Sequence, residues 1–276
     1  LFALALLDLS TGELHLVELE NTKELSDELF RRTPSELLIS QKCFKKLSPI
    51  LEDLKQHFRL RINIKEEWQF DHQSCYAWLT RHFNVHNLDG LGLKGMSAAI
   101  NAAGALLSYI QEELTLSVAH VKNIALDKLS SYMSIDRITQ RNLEITEPLH
   151  KSGENSTLLA LLDRTKTPMG ARLFRTWLIH PLLSQKKIEH RQDAIQAFLS
   201  SPLAITTLKE KIRNIRDLER LIMRIATGYS NPRDLSSLRD SLEKIPEVLK
   251  ALEPFESPLI DSIKTKMPDP SLLTAT

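Results

Sequence analysis

The chain has 276 residues, 42% hydrophobic and 26% charged, with 8 Gly and 12 Pro, a balance that excludes disordered and fibrous classes and a length that suits about two domains. Lys and Arg total 36 against 35 Asp and Glu, so no net field draws the whole chain onto a nucleic-acid backbone or an anionic membrane, and such binding has to be local. Cys43 and Cys75 stand apart and outside any Cys-x-x-Cys unit, which argues against a disulfide framework or zinc knuckle and fits a reducing cytoplasm.

Residues 1–7 are apolar, but the run is short, lacks a basic flank and leads into Asp8 and a turn, so it reads as a strand rather than a signal peptide or membrane span. Apolar runs at 2–9 and 14–19 flank Ser10-Thr11-Gly12-Glu13, small polar residues that suit a tight reversal, and predict a β-hairpin. A helix near 23–32, a strand at 37–39, a helix over 44–54 and an alternating strand over 60–64 follow; strands alternating with helices predict an α/β domain. After a helix near 71–80 and a looser stretch over 87–90, residues 96–112 form an Ala-rich helix in which Ala99, Ala103 and Gly104 would allow close approach to a sheet. Asn101 and Gln111 interrupt it, against a membrane reading.

From about 129 onward Gly is scarce, strand-like runs disappear, and Thr167-Pro168, Ser201-Pro202 and Asn231-Pro232 each place a capping side chain before a Pro at the first helical position. Three apolar stripes are expected to face a core: Met169, Leu173 and Trp177; Leu218, Leu221, Ile222 and Ile225; Leu235, Leu238, Leu242, Ile245 and Leu249. Thr227-Gly228 is a helix stop. The domains are therefore expected at 1–128, α/β, and 129–276, all-α and incomplete. The leading Leu1 and the closing Ala275-Thr276 read as cuts through a longer protein.

Chemistry-bearing patterns are few. No Gly-x-x-x-x-Gly-Lys-Ser/Thr loop occurs, and Gly90, Gly92 and Gly95, although they have Gly-x-Gly-x-x-Gly spacing, do not directly follow a strong strand and read as a loop before the Ala-rich helix. His82 and His86 are four apart without an acidic partner between them, and Ser10, Ser74 and Ser97 lack a nucleophile-elbow context. Asp8, Glu66, Glu67 and Asp89 could gather at strand ends to hold divalent ions, as a ribonuclease H-like nuclease requires; the competing reading has Asp8 accepting hydrogen bonds in its turn and the Glu pair solvated. Arg172, Arg175, Arg213, Arg216, Arg220 and Arg224 could line a phosphate stripe, but Asp217 and Glu219 are interleaved, which favours a salt-bridged helix face. Trp177 and Phe198 read as core. No residue is assigned a catalytic, cofactor-binding or metal-binding role.

Longer words go further. Asp136-Arg137-Ile138-Thr139-Gln140-Arg141-Asn142-Leu143-Glu144, then Thr157-Leu158-Leu159-Ala160-Leu161-Leu162-Asp163-Arg164-Thr165-Lys166-Thr167-Pro168-Met169-Gly170-Ala171-Arg172, Trp177-Leu178-Ile179-His180-Pro181-Leu182, Arg191-Gln192-Asp193-Ala194-Ile195, Asp217-Leu218-Glu219-Arg220-Leu221 and Asn231-Pro232-Arg233-Asp234-Leu235 resemble, in order, the opening of the core domain of the bacterial MutS mismatch-repair family. Residues 7–13 and the Ala-rich word at 102–107 resemble that family's connector domain. The resemblance implies a ribonuclease H-like connector without nuclease activity, followed by an elongated lever of long helices. It implies that mismatched DNA, ATP and Mg²⁺ are bound outside this stretch, that MutL docks on the connector, and that the whole protein is a cytoplasmic homodimer joined through an ATPase domain. The signature positions, Asp136 to Arg220, would then be structural. The chain shows no mismatch-reading Phe-x-Glu unit, no phosphate loop and no returning half of the core.

Overall fold

The structure, a computed structural model, describes residues 1–127, 131–149, 156–267 and 270. The chain divides into two compact units, Leu1–Lys128 and Leu129–Thr276; the residues at the junction, where the sequence places its boundary, lie outside the described residues, as do Ala275 and Thr276.

The first unit opens with strands β1 (Phe2–Asp8) and β2 (Glu13–Leu19), paired antiparallel. Their turn forms because Gly12 adopts φ +74° and its N–H reaches the Asp8 carbonyl at 2.7 Å, while the Asp8 carboxylate accepts from the Ser10 N–H at 2.8 Å. Helix α1 (Thr22–Arg32) starts at Asn21, whose side chain accepts from Glu24 N–H. Strand β3 (Glu36–Ser40), helix α2 (Gln41–His57) and strand β4 (Arg61–Lys65) make a parallel β-α-β unit, with β3 and β4 forming a separate two-stranded sheet. Helices α3 (His72–Phe83) and α4 (Ser97–Ser108) follow.

A short strand that the sequence reading missed, β5 (Ile124–Leu126), pairs parallel with β2 and gives a three-stranded sheet ordered β1-β2-β5. Ala99 and Ala103 of α4 are buried with Leu14 and Leu16 of β2, so the small side chains do permit close packing. Gly104 serves a different neighbour: a Cβ there would lie 2.5 Å from the Cβ and 2.7 Å from the Cα of Cys75 on α3, so its missing side chain admits a helix, not the sheet. The expected single helix over 96–112 also breaks, α4 ending at Ser108 and a π turn running from Tyr109 to Glu113.

In the second unit the described residues form α5 (Arg137–Asn142), α6 (Leu158–Leu162), α7 (Pro168–Ile179), α8 (Gln185–Leu199), α9 (Pro202–Arg213), α10 (Leu218–Ala226), α11 (Pro232–Leu242), α12 (Ile245–Leu252) and α13 (Pro258–Lys266). The expectation of long helices is corrected here: the longest described one, α8, has 15 residues, about 22 Å at 1.5 Å per residue. Thr167 and Asn231 cap as expected, Asn231 within a full capping box with Asp234, but Ser201 makes no side-chain cap bond, and Ser257 before Pro258 is a further working cap. Gly228, at φ +77°, follows the end of α10.

Ala194, Leu208, Val248, Leu252, Phe255 and Ile260 form one buried cluster between α8, α9, α12 and α13; Phe198 packs edge-on against Phe255 at 4.8 Å. The three stripes are only partly covered. Leu221 is buried, but Leu173, Trp177, Ile222 and Leu235 are exposed, because periodicity marks an apolar face without supplying its cover.

Candidate functional site

Of the four carboxylates that a nuclease would need, Asp8 and Glu67 make local hydrogen bonds, while Glu66 and Asp89 are exposed at two separate turns. Asp8 accepts from both the N–H and the hydroxyl of Ser10 at 2.8 and 2.6 Å. Glu67 lies in a 3-10 turn after β4, and its Oε1 accepts the Lys42 N–H at 2.8 Å, in the first turn of α2. Among the described residues no three His, Cys, Asp or Glu side chains gather as a metal site would require. His82 stacks on Trp78 with ring centroids 5.1 Å apart, and its Nε2 lies 2.9 Å from the Val121 carbonyl, which only an N–H can satisfy; His86 lies beyond the end of α3 and is exposed.

The family words of the helical unit converge more closely. Arg172, on α7, sends Nη1 to Asp217 Oδ2 at 2.6 Å and Nη2 to Asp217 Oδ1 at 2.9 Å, and Nη2 also donates to Glu219. Asp217 caps α10, accepting the Arg220 N–H at 3.3 Å. The result is a fork-on-carboxylate clasp between the two helices. The Arg172 hydrogen bonds hold Asp217 below the usual carboxylate range against the opposing effect of burial, and those to Asp217 help to raise Arg172 above its ordinary value. Arg224 pairs with Asp234 at 2.7 Å. Arg172, Arg220 and Arg224 thus make ion pairs, as interleaved charge predicts, whereas Arg175, Arg213 and Arg216 make none among the described residues.

The approach to α7 is an Asx-type turn. Asp163 Oδ1 accepts from the Thr165 N–H at 2.9 Å and its hydroxyl at 2.7 Å. Thr167 then caps Gly170 N–H at 3.1 Å, and a Cβ on Gly170 would lie 3.0 Å from that same Thr167 oxygen, so a side chain there would crowd the cap. Asp136 caps α5 through Thr139, whose N–H lies at 2.9 Å; Glu144, at φ +46°, accepts from Leu149 N–H at 2.6 Å. Arg141, Asn142, Leu143 and Gln192 are exposed, Pro168 lies at the first turn of α7 and Met169 is half-buried.

Trp177 corrects the reading of it as core. It is 39% exposed, and the Arg191 guanidinium lies 3.5 Å from its ring centroid, a cation on an aromatic face linking α7 to α8. Desolvation lowers the Arg191 value. The Pro181 carbonyl accepts the Met133 N–H at 2.8 Å, and Tyr132 bridges to Leu182, so the segment entering α5 docks on the end of α7.

Sequence reasoning missed a charged cluster in the first unit. Asp127 lies 3.0 Å from His15 Nδ1 and also accepts from Arg32; Arg32 Nε reaches Glu28 at 2.8 Å, and the other Glu28 oxygen pairs with Arg31. Glu28 is 1% exposed. The signal was present as Arg31 and Arg32 at three- and four-residue spacing from Glu28, but spacing does not say that a helix face is buried.

Comparison with known proteins gives two adjoining matches. A family model described as MutS domain II matches residues 1–122 and one described as MutS domain III matches 138–274. A DNA mismatch repair protein MutS of Protochlamydia amoebophila is 42% identical over 275 residues, 100% of this chain and 32% of its own length. Those of Chlamydia abortus and Lachnoclostridium phytofermentans are 42% and 36% identical, each over 94% of this chain and 31% and 28% of their own lengths. The chain thus spans about a third of the length of the curated relatives it matches.

Proposed function

The chain belongs to the MutS family, carrying its domains II and III, and from that premise we propose that it is the non-catalytic connector and lever of a DNA mismatch-repair ATPase, relaying state between mismatched DNA and ATP bound elsewhere in the protein. The observation that carries the reading is the Arg172 clasp. It ties α7 to α10 across 45 residues of chain through groups that the family words contribute, and a relay requires helices cross-linked firmly enough to move as a body.

The remaining parts of the proposal follow from the family. The α/β unit is a ribonuclease H-like connector, a reading supported by the hairpin β1-β2 leading into alternating helices and parallel strands. It offers MutL a docking surface; ATP, Mg²⁺ and the homodimer contact belong to an ATPase domain, and the protein works in the cytoplasm. No described helix is long and apolar enough to cross a membrane.

The test is a gel shift and a turnover assay on the purified chain. We expect weak DNA binding without heteroduplex preference, no ATP turnover, and no cleavage of branched or hybrid substrates with Mg²⁺ or Mn²⁺. Clear heteroduplex preference, or cleavage abolished by Asp8→Asn, would overturn the assignment.

A further inference from the structure

Strand β5 is weakly placed for an element of a sheet. It has three residues and pairs only through β2 in the order β1-β2-β5; Ile124 and Leu126, half-buried, pack against the core of the unit, and Ala125 is exposed. A parallel ladder that short contributes few hydrogen bonds, and an edge position leaves one side of the strand without a partner. The chain is nevertheless held at the residue that follows. The Asp127 N–H donates to the Leu16 carbonyl at 2.9 Å, and its carboxylate accepts from His15 Nδ1, at 3.0 and 3.1 Å to its two oxygens, and from Arg32. An ionised carboxylate is acceptor-only, so the His15 proton sits on Nδ1. Arg32 is fixed in turn by Glu28, whose second oxygen holds Arg31.

Burial alone would push the Asp127 carboxyl up; the His15 hydrogen bond and the Arg32 charge outweigh it and hold the group below its usual range. The cluster joins β2, α1 and the end of β5 through charge-assisted hydrogen bonds, which are directional and can be broken one at a time. Unlike a clasp between two full helices, this cluster holds a three-residue edge strand that has no fully buried side chain of its own, so the docked state of β5 leans on it.

We infer that Asp127 is a charge latch and β5 a detachable strand: with His15 and Arg32 engaged the strand is docked on β2, and with the latch open it leaves the sheet while the β1-β2 hairpin stays intact. Undocking frees the four residues Ile124 to Asp127, which adds up to about 14 Å of reach at 3.3–3.6 Å per extended residue to the chain running on from this sheet. Use of that slack in relaying state rests on the function proposed above; the latch itself does not.

Hydrogen exchange on the whole chain, without DNA or nucleotide, tests the latch separately from that function. In the wild-type protein, peptides covering 124–127 are expected to exchange at least tenfold faster than the β1-β2 ladder, showing opening without global unfolding. Asp127→Asn, which keeps one acceptor oxygen but removes the charge, is expected to speed exchange at 124–127 by about tenfold more and to leave β1-β2 unchanged. Exchange of 124–127 in step with the β1-β2 ladder in the wild-type protein would overturn the inference without any variant. So would a folded Asp127→Asn protein whose exchange at 124–127 matches the wild type.

Discussion

Replacing Arg172 by Ala removes both hydrogen bonds to Asp217 and the contact with Glu219. A hydrogen bond to a charged group contributes about 1.5–3 kcal/mol net, and exposed ion pairs about 0–1. The Arg172 side chain is 29% exposed and that of Asp217 16%, so solvent screens the pair in part; we take about 2 kcal/mol for the Arg172–Asp217 coupling and nothing from the exposed Glu219. Because Asp217 also caps α10, the partner substitution is Asp217→Asn, which keeps a good capping side chain and loses the charge. The double-mutant cycle is read in urea from the fluorescence of Trp177 in a background with Trp68→Phe and Trp78→Phe, so that the helical unit reports alone. With a slope of about 2 kcal/mol per molar, Arg172→Ala is expected to lower the midpoint by about 1 M. A coupling below about 0.5 kcal/mol would refute the reasoning that the clasp is a firm cross-link.

Asp217 is held below its ordinary value, so the clasp contributes in full above about pH 4 and is lost as pH falls through the lower native value; the Arg172→Ala effect in urea should shrink between about pH 7 and about pH 2.5. Gly104→Ala brings a methyl group into Cys75 and should cost about 1–3 kcal/mol, measured by thermal unfolding; a neutral result would mean that α3 and α4 separate easily. Asn231→Ala breaks a working capping box and should cost about 1 kcal/mol, whereas Ser201→Ala, at a cap that makes no side-chain bond, should change little in the same denaturation assay. Burial first, and then Asp71, push the Cys75 thiol up to about 11; an aromatic disulfide reagent near neutral pH should therefore titrate Cys43 at once and Cys75 only after denaturant is added.

The elements of the fold were legible where local chemistry determines them. Gly12 after Asp8, Pro after Thr167 and Asn231, and Gly after Thr227 each answer a backbone requirement that can be read residue by residue. Strand β5 was not legible, since three residues give no periodicity and its place depends on β2, which lies more than a hundred residues earlier. Trp177 misled because its spacing with Met169 and Leu173 marks an apolar stripe, while its actual neighbour, Arg191, sits on another helix. Small residues around Gly104 mark a point of close approach, but spacing within one helix does not name what packs on it, and the neighbour is Cys75 of α3 rather than the sheet. The pairing of Arg220 was legible because Asp217 stands three residues before it in the same word; that Arg172, 45 residues earlier, would clasp Asp217 was a matter of tertiary placement.

Whether the helical unit relays state as a cross-linked body is decided in the full-length protein by measuring heteroduplex residence time with and without ATP for wild type and Arg172→Ala. We expect the ATP-dependent change in residence largely to disappear in the variant while nucleotide-free heteroduplex affinity and ATP affinity stay within about twofold. An ATP effect of undiminished size in a folded Arg172→Ala protein would contradict that relay.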